Sequence, residues 1–256
     1  MPLQSAPVQG SGVVIWHVGR CGSSVLGRCL NQHPQVQWEN EIFNRWMPQR
    51  RGVLPVPPLS EAISSVQQRQ QKLFQVVEVK FLPCQHPGIF GLSALELADE
   101  LSKAGFYYSV LLERSNTLRR MVSHCRALQG HSYHLELTQP PPQPDLMPLP
   151  LEKIRVGTEE RSLLEWLEII PQAYQELSRG LRLRGPLLEL TYEQDLEADP
   201  LEAYRKISRF LQLEPAPASI LLQRTNPFPL SATVSNLDAI RRVLQDTEMA
   251  WMLDES

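Results

Sequence analysis

Residues 12–41 read GVVIWHVGRCGSSVLGRCLNQHPQVQWENE and pass from a strand through a glycine turn into a helix. Residues 13–16 (VVIW) form a short apolar run rich in β-branched residues, which is typical of a buried parallel strand. Gly19 and Gly22 bound a tight turn in which the backbone can approach a ligand closely. The apolar positions of residues 25–30 then share one helical face. This pattern predicts an α/β fold with a strand–loop–helix unit near its start.

The turn and the start of the helix predict an anion-binding site. Free N–H groups at a helix N-terminus, together with the helix dipole, attract phosphate or sulfate. Arg20, Ser23 and Ser24 add side-chain donors at the same place. An ordinary N-capped loop between a strand and a helix has a similar sequence, so this stretch alone leaves both interpretations open.

The same segment nearly matches the loop that binds nucleoside triphosphates, G-x-x-x-x-G-K-[ST]. Residues 22–29 read GSSVLGRC, so the lysine and the hydroxyl residue that would hold Mg²⁺ are both missing. The second glycine, Gly27, is also expected to fall inside the helix. These departures argue against a site for Mg²⁺-ATP.

Residues 20–24 (RCGSS) resemble the 5′-phosphosulfate loop of sulfotransferases that use 3′-phosphoadenosine 5′-phosphosulfate (PAPS) as donor. In that family a basic residue, a glycine and two hydroxyl residues follow the first strand. The resemblance implies a central parallel β-sheet flanked by helices, with a P-loop-like arrangement. It implies that PAPS, and its product PAP, are bound by Arg20, Cys21, Gly22, Ser23, Ser24 and Val25. Arg20 would also stabilise charge on the leaving oxygen during transfer.

Two residues are candidates for the general base. Glu41, in the sequence Glu-Ile-Phe, resembles the segment of bacterial sulfotransferases whose glutamate is the base. His86 follows the predicted second strand, residues 76–81, at the carboxyl edge of the sheet, where ligands bind. Lys80, on that strand, reaches the donor's charge or pairs with a carboxylate. Since a loop histidine in solvent is an ordinary alternative, the choice between Glu41 and His86 stays open.

A second motif follows the predicted third strand, residues 107–112 (YYSVLL). Arg114 ends this strand, and the next helix carries Arg119, Ser123 and Arg126 on its polar face. The motif resembles the 3′-phosphate site of sulfotransferases, in which an arginine ends a strand and a serine lies in the following helix. The spacing here is one residue longer than in many family members, so either Arg114 or Arg119 is the main ligand. A solvated charge run is the alternative.

Three further segments complete the resemblance, which extends over residues 12–253 as a single domain. Tyr192 follows a predicted strand at 186–191 and resembles the family tyrosine that contacts the adenine, with one extra residue in its segment; a core tyrosine is the alternative. Residues 130–155 are rich in proline and are predicted to form a variable loop on the acceptor side. A helix is predicted over 158–179, kinked or split by Pro171.

Composition excludes several other classes of function. The net charge of −3 does not suggest a nucleic-acid binder. The four cysteines show no C-x-x-C spacing, so we expect neither a zinc site nor a disulfide framework. No apolar run approaches the length of a membrane span and the N-terminus has no signal-peptide pattern, so a cytoplasmic location is expected.

The sequence therefore predicts transfer of a sulfuryl group from PAPS to a hydroxyl or amine of a small-molecule, glycan or lipid acceptor. A P-loop kinase of small molecules and a catalytically silent nucleotide-binding module are the alternatives. The pattern requires no metal. It names neither the acceptor nor the oligomeric state.

Overall fold

The computed structural model describes residues 11–46, 55–81, 83, 88–130 and 134–254. Its strands in chain order are β1 (Ser11–His17), β2 (Val36–Glu41), β3 (Phe74–Lys80), β4 (Phe106–Glu113), β5 (Leu135–Glu136), β6 (Ile154–Val156), β7 (Glu159–Arg161), β8 (Leu187–Thr191) and β9 (Leu222–Gln223). Five of them form one sheet in the order β2-β3-β1-β4-β8. Every neighbouring pair in this sheet is parallel. The predicted α/β fold with a central parallel sheet is thus confirmed.

Helices cover both faces of the sheet. They are α1 (Ser23–Leu30), α2 (Leu59–Gln67), α3 (Ala94–Lys103), α4 (Thr117–Leu128), α5 (Leu163–Arg182), α6 (Pro200–Phe210) and α7 (Leu237–Leu244). One apolar cluster joins the sheet to α1 and α6, and a second joins its other face to α2, α3, α4, α5 and α7. β1 is buried along its whole length, which explains its continuous apolar run. Among the described helices, none has both the length and the apolar character to cross a membrane.

The position of β1 determines where a ligand site can form. β1 lies between β3 and β4, so the chain that leaves β1 builds first one side of the sheet and then the other. In open parallel sheets, ligands bind at the carboxyl ends of the strands where the winding direction changes. Tyr174 of α5 links the carboxyl ends of β1 and β4. Its hydroxyl accepts from the N–H of Val18 at 2.9 Å and donates to the carbonyl of Leu112 at 3.0 Å.

The predicted start of the fifth helix is wrong. Residues 159–161 form β7, which pairs antiparallel with β6, and α5 begins only at Leu163. Ser162 is the N-cap, and it forms a reciprocal capping box with Glu165. This local cap, which the periodicity of the apolar residues does not reveal, sets the boundary.

Of the two predicted effects of Pro171, a kink or a split of the helix, the split does not occur. The helix continues to Arg182 through the proline. Proline removes one backbone hydrogen bond and crowds the preceding turn, but Trp166, Leu167, Ile170 and Tyr174 are buried against the sheet. We attribute the continuity of the helix to this buried face.

Residues 134–153 contain little regular structure, as predicted for the proline-rich loop. β5 pairs antiparallel with β9, and Met147 forms an isolated bridge with Val234. The loop is therefore attached to the C-terminal part of the chain at two places.

The packing of α1 on the sheet gives a stability prediction. A Cβ at Gly27 would overlap the ring of Trp38, and the indole N–H of Trp38 is held by Glu78. Gly27→Ala should lower the free energy of unfolding by about 1–3 kcal/mol, measured by urea denaturation, because the ring cannot move away.

Gly180→Ala is the matched control in α5. A Cβ there would meet only the end of the flexible Leu95 side chain, which can rotate away, and alanine favours a helix over glycine by about 1 kcal/mol. Equal losses in the two variants would contradict this account of the Gly27–Trp38 contact.

Candidate functional site

The turn between β1 and α1, residues 19–24, has an unusual backbone. Gly19, Arg20 and Gly22 all have positive φ, at 96°, 61° and 86°. Arginine rarely adopts this conformation, and such strain is concentrated at functional sites. Gly22 is the N-cap of α1, and no side chain in the described part of the chain caps this helix. The N–H groups of its first turn are therefore available to an anion.

The structure joins Arg20 to the predicted 3′-phosphate motif. The Nε of Arg20 donates to the hydroxyl of Ser123 in α4 at 2.9 Å. Its Nη2 donates to the hydroxyl of Thr225, in the C-terminal part of the chain, at 3.2 Å. Two sequence motifs separated by about a hundred residues thus meet at one side chain.

The other residues of the predicted 5′-phosphosulfate loop differ in their exposure to solvent. Cys21 and Ser23 are buried, whereas Ser24 and Val25 are partly exposed. The loop therefore combines a buried interior side with an open side at the start of α1.

Arg120 supports the turn from inside the protein, and the sequence analysis missed it. Its side chain is only 2% exposed. It donates from Nε to the carbonyl of Gly19 at 3.0 Å and from Nη2 to the carbonyl of Val18 at 3.3 Å. The signal that could have revealed it is its i, i+3 spacing to Ser123 in the same helix.

Arg126, which was grouped with Arg119 and Ser123, serves another part of the structure. It is buried and donates to the carbonyl of Asp145 at 2.6 Å. It holds the loop that follows α4, so it does not contribute a free donor at the turn.

Arg114 and Tyr192 lie together beside Gly22. The guanidinium of Arg114 stacks on the ring of Tyr192 at 4.5 Å from the centroid, and a Cβ at Gly22 would be 3.1 Å from Tyr192 Cδ2. Burial lowers the pKa of Arg114, which means that its charge is poorly solvated. Arg119 is partly exposed and donates to the carbonyl of Phe228 at 3.4 Å.

A π-helical turn, Tyr192–Leu196, accommodates the extra residue of the tyrosine segment. Its wide hydrogen bond runs from the N–H of Glu197 to the carbonyl of Tyr192 at 2.7 Å. The carboxylate of Glu193 accepts from the N–H groups of Ser115 and Asn116, each at 3.0 Å. The insertion therefore ties the tyrosine to the junction between β4 and α4. Inserted turns of this kind are frequent at functional sites.

Glu41 ends β2 and follows an irregularity in the pairing of that strand with β3. The register between β2 and β3 shifts between Trp38 and Glu41, and Asn40 has a φ of 58°. Bulges of this type change the direction in which a side chain points. Glu41 pairs with Glu78 in the register and is partly exposed.

Lys80 brings a second cation to the turn from β3. A Cβ at Gly19 would be 3.3 Å from its Nζ, so the ammonium lies over the turn. Burial lowers the pKa of Lys80, with Arg120 and Arg20 acting in the same direction and Glu41 opposing them. A lysine from a neighbouring strand thus lies where the turn itself has none.

A buried pair lies behind Glu41. The Nε2 of His17 is 3.1 Å from Oε2 of Glu78, and both side chains are fully inaccessible to solvent. The indole N–H of Trp38 donates to the other oxygen of Glu78 at 2.7 Å. His17, Glu41 and Glu78 bring their nitrogen and oxygen atoms to within 4.8 Å of one another.

The second candidate base, His86, lies outside the described residues. His134, from the proline-rich loop, is instead close enough to interact with the charges of the site. Burial lowers its pKa, Arg20 lowers it further and Glu41 opposes this. A loop that the sequence assigned only by its proline content therefore adds a titratable group near Glu41.

Together these contacts make a strongly cationic site in a chain of net charge −3. Among the residues that the structure describes, its cationic side chains include Arg20, Lys80, Arg114, Arg119 and Arg120. They accompany an uncapped helix N-terminus, and two partly exposed carboxylates adjoin them: Glu41, which interacts with Lys80, and Glu193, which lies 4.0 Å from Arg114. Such a site can bind an anionic group and place a base beside it.

Comparison with known proteins supports the architecture. No protein-family model matches the chain, and no curated protein matches its sequence. The structure is similar to the crystal structure of a sulfotransferase from Alicyclobacillus acidocaldarius, with a TM-score of 0.54 and 14% sequence identity over 86% of this chain and 88% of that chain. At this level of identity, the similarity shows a common fold.

Proposed function

We propose that residues 12–253 form one sulfotransferase domain that transfers a sulfuryl group from PAPS to the hydroxyl or amine of a small-molecule, glycan or lipid acceptor. The observation that carries the proposal is the hydrogen bond between Arg20 and Ser123. It joins the two motifs that resemble the phosphosulfate and 3′-phosphate sites, on a fold that a sulfotransferase also has.

The residues present fit the donor at both of its charged ends. The 5′-phosphosulfate would lie against residues 20–25 and the N-terminus of α1, where free N–H groups and Arg20 converge. The 3′-phosphate would be held by Arg114, Arg119 and Ser123. Tyr192 lies beside Gly22 and Arg114, so its ring would contact the adenine.

The protein's part in the reaction is positioning and charge stabilisation. When bound, PAPS would supply the sulfuryl group for the acceptor oxygen or nitrogen, and PAP would be the leaving group. Glu41 takes the proton from that acceptor atom. Arg20 and Lys80 offset the negative charge that develops on the leaving phosphate oxygen. Groups that are aimed at this charge before the reaction contribute most to the rate.

A P-loop kinase of small molecules is the main alternative. Lys80 could approach a phosphate chain, but Cys29 stands where such a loop carries the hydroxyl that holds Mg²⁺. Gly27 also lies within α1, as the sequence predicted. A silent nucleotide-binding module would keep the cationic site and lack turnover. Nucleotide selectivity and turnover separate the three functions.

We expect PAP to bind far more tightly than 5′-AMP in isothermal titration, because only PAP carries a 3′-phosphate. A charged hydrogen bond contributes about 1.5–3 kcal/mol. Arg114→Ala or Arg119→Ala should therefore reduce the advantage of PAP by about 10- to 100-fold. Arg241→Ala, in an exposed pair on α7, is the control. Equal affinities for PAP and 5′-AMP, or tighter binding of Mg²⁺-ATP than of PAP, would favour the kinase.

Glu41→Gln should retain the affinity for PAP and lose about 10²–10⁴-fold in turnover, because the amide cannot accept the proton. Turnover is measured as transfer of ³⁵S from labelled PAPS to a panel of phenols, sugars, sterols and amines.

Glu39→Gln is the matched control for this variant, since Glu39 lies on the same strand but binds Arg69 and Gln37. It should turn over normally. If Glu41→Gln is fully active while His86→Asn is not, His86 is the base.

A further inference from the structure

The buried pair of His17 and Glu78 has no part in the function proposed above. His17 ends β1 and Glu78 lies in the adjacent strand β3. Neither side chain is accessible to solvent. Glu41, on the next strand, is the one member of the cluster that is partly exposed. The three side chains therefore form a short path from the protein interior to the proposed base.

Glu78 is held in a single orientation. One carboxylate oxygen accepts from the indole N–H of Trp38 at 2.7 Å, and the other lies 3.1 Å from Nε2 of His17. The ring of Trp38 is packed against Gly27. Because Glu78 cannot turn away, His17 remains next to both carboxylates.

The contact between His17 and Glu78 places a titratable ring beside the two carboxylates. The carboxylates of Glu41 and Glu78 lie within 4.8 Å of each other, and Glu78 is fully buried. Burial by itself lowers the pKa of His17, but Cys21 and Glu78 outweigh burial and raise the pKa to about 10. His17 is then protonated at neutral pH. The protonated ring offsets one of the two negative charges.

Other charged and titratable groups interact with the cluster or with its neighbour Lys80. From the turn come Arg20 and Cys21, from β3 Lys80, from α4 Arg120, and from the loop after α4 His134. His17 differs from the cations among them because it lies in direct contact with Glu78.

We propose that His17 is a positioning residue whose protonated ring balances Glu78, so that Glu41 stays ionised and able to accept the acceptor's proton. This inference rests on the proposed function of Glu41. No further proton transfer through His17 is needed. The competing occupant of the cluster is a divalent cation bound by the same three side chains. The direct contact between His17 and Glu78 favours a proton, because it has the length of a hydrogen bond.

The first experiment compares the pH dependence of turnover in the wild type and in His17→Gln. Without the positive ring, Glu78 opposes ionisation of the base, so the acid limb of the profile should move upward by about 1–3 pH units. In the double variant His17→Gln/Glu78→Gln both charges are gone, and the limb should return towards that of the wild type. A purely structural role of His17 would not produce this rescue.

PAP affinity and circular dichroism serve as the folding controls for each variant. If His17→Gln does not fold, the comparison of Glu78→Gln with the wild type replaces it in the measurement below. An unmoved acid limb in folded His17→Gln overturns the inference. Loss of wild-type turnover with EDTA, and its recovery with Mn²⁺ or Zn²⁺, overturns it in favour of a metal.

NMR titration of the His17 ring separates this inference from the proposed function. We expect the ring to be protonated at pH 7.5 in the wild type and to titrate at lower pH in Glu78→Gln. A neutral ring at pH 7.5 overturns the inference even when the protein transfers sulfuryl groups. A protonated ring in a protein without any sulfuryl transfer instead overturns the proposed function, and with it the role of His17.

Discussion

The guanidinium of Arg120 anchors the backbone that follows the central strand, β1. It binds the carbonyls of Val18 and Gly19 from inside the protein, while the N–H groups at the start of α1 stay free of side-chain caps. The backbone of the turn is thus anchored on its carbonyl side and open on its N–H side. Burial lowers the pKa of Arg120 and of Lys80, so both charges are poorly solvated. An anionic ligand would relieve this cost.

The parts that could be predicted from the sequence depend on local signals. The apolar run of β1, the glycines of the turn and the apolar stripe of α1 all lie within about twenty consecutive residues. Each is explained by a rule about neighbouring positions, so the strand, the turn and the helix follow without knowledge of the tertiary structure. The capping box of α3, formed by Ser93 and Glu96, is local in the same way.

The parts that could not be predicted depend on contacts between distant residues. Arg120 binds backbone groups that precede it by about a hundred positions, and the partner of His17 lies on a strand formed much later in the chain. The i, i+3 spacing to Ser123 associates Arg120 with the site but does not identify the carbonyls that it binds, and no neighbouring residue identifies the partner of His17. Pro171 shows the same limit, because its local helix-breaking tendency is overcome by the buried face of α5. The roles of the site residues likewise depend on which ligand they meet.

The crystal structure of the protein with PAP would test the central claim most directly. The 5′-phosphate should lie within about 3 Å of backbone N–H groups at the start of α1, near Arg20. The 3′-phosphate should contact Arg114 or Arg119 together with Ser123, with the adenine against Tyr192. PAP bound at another edge of the sheet, or with its 3′-phosphate free in solvent, would contradict the assignment of this site to PAPS.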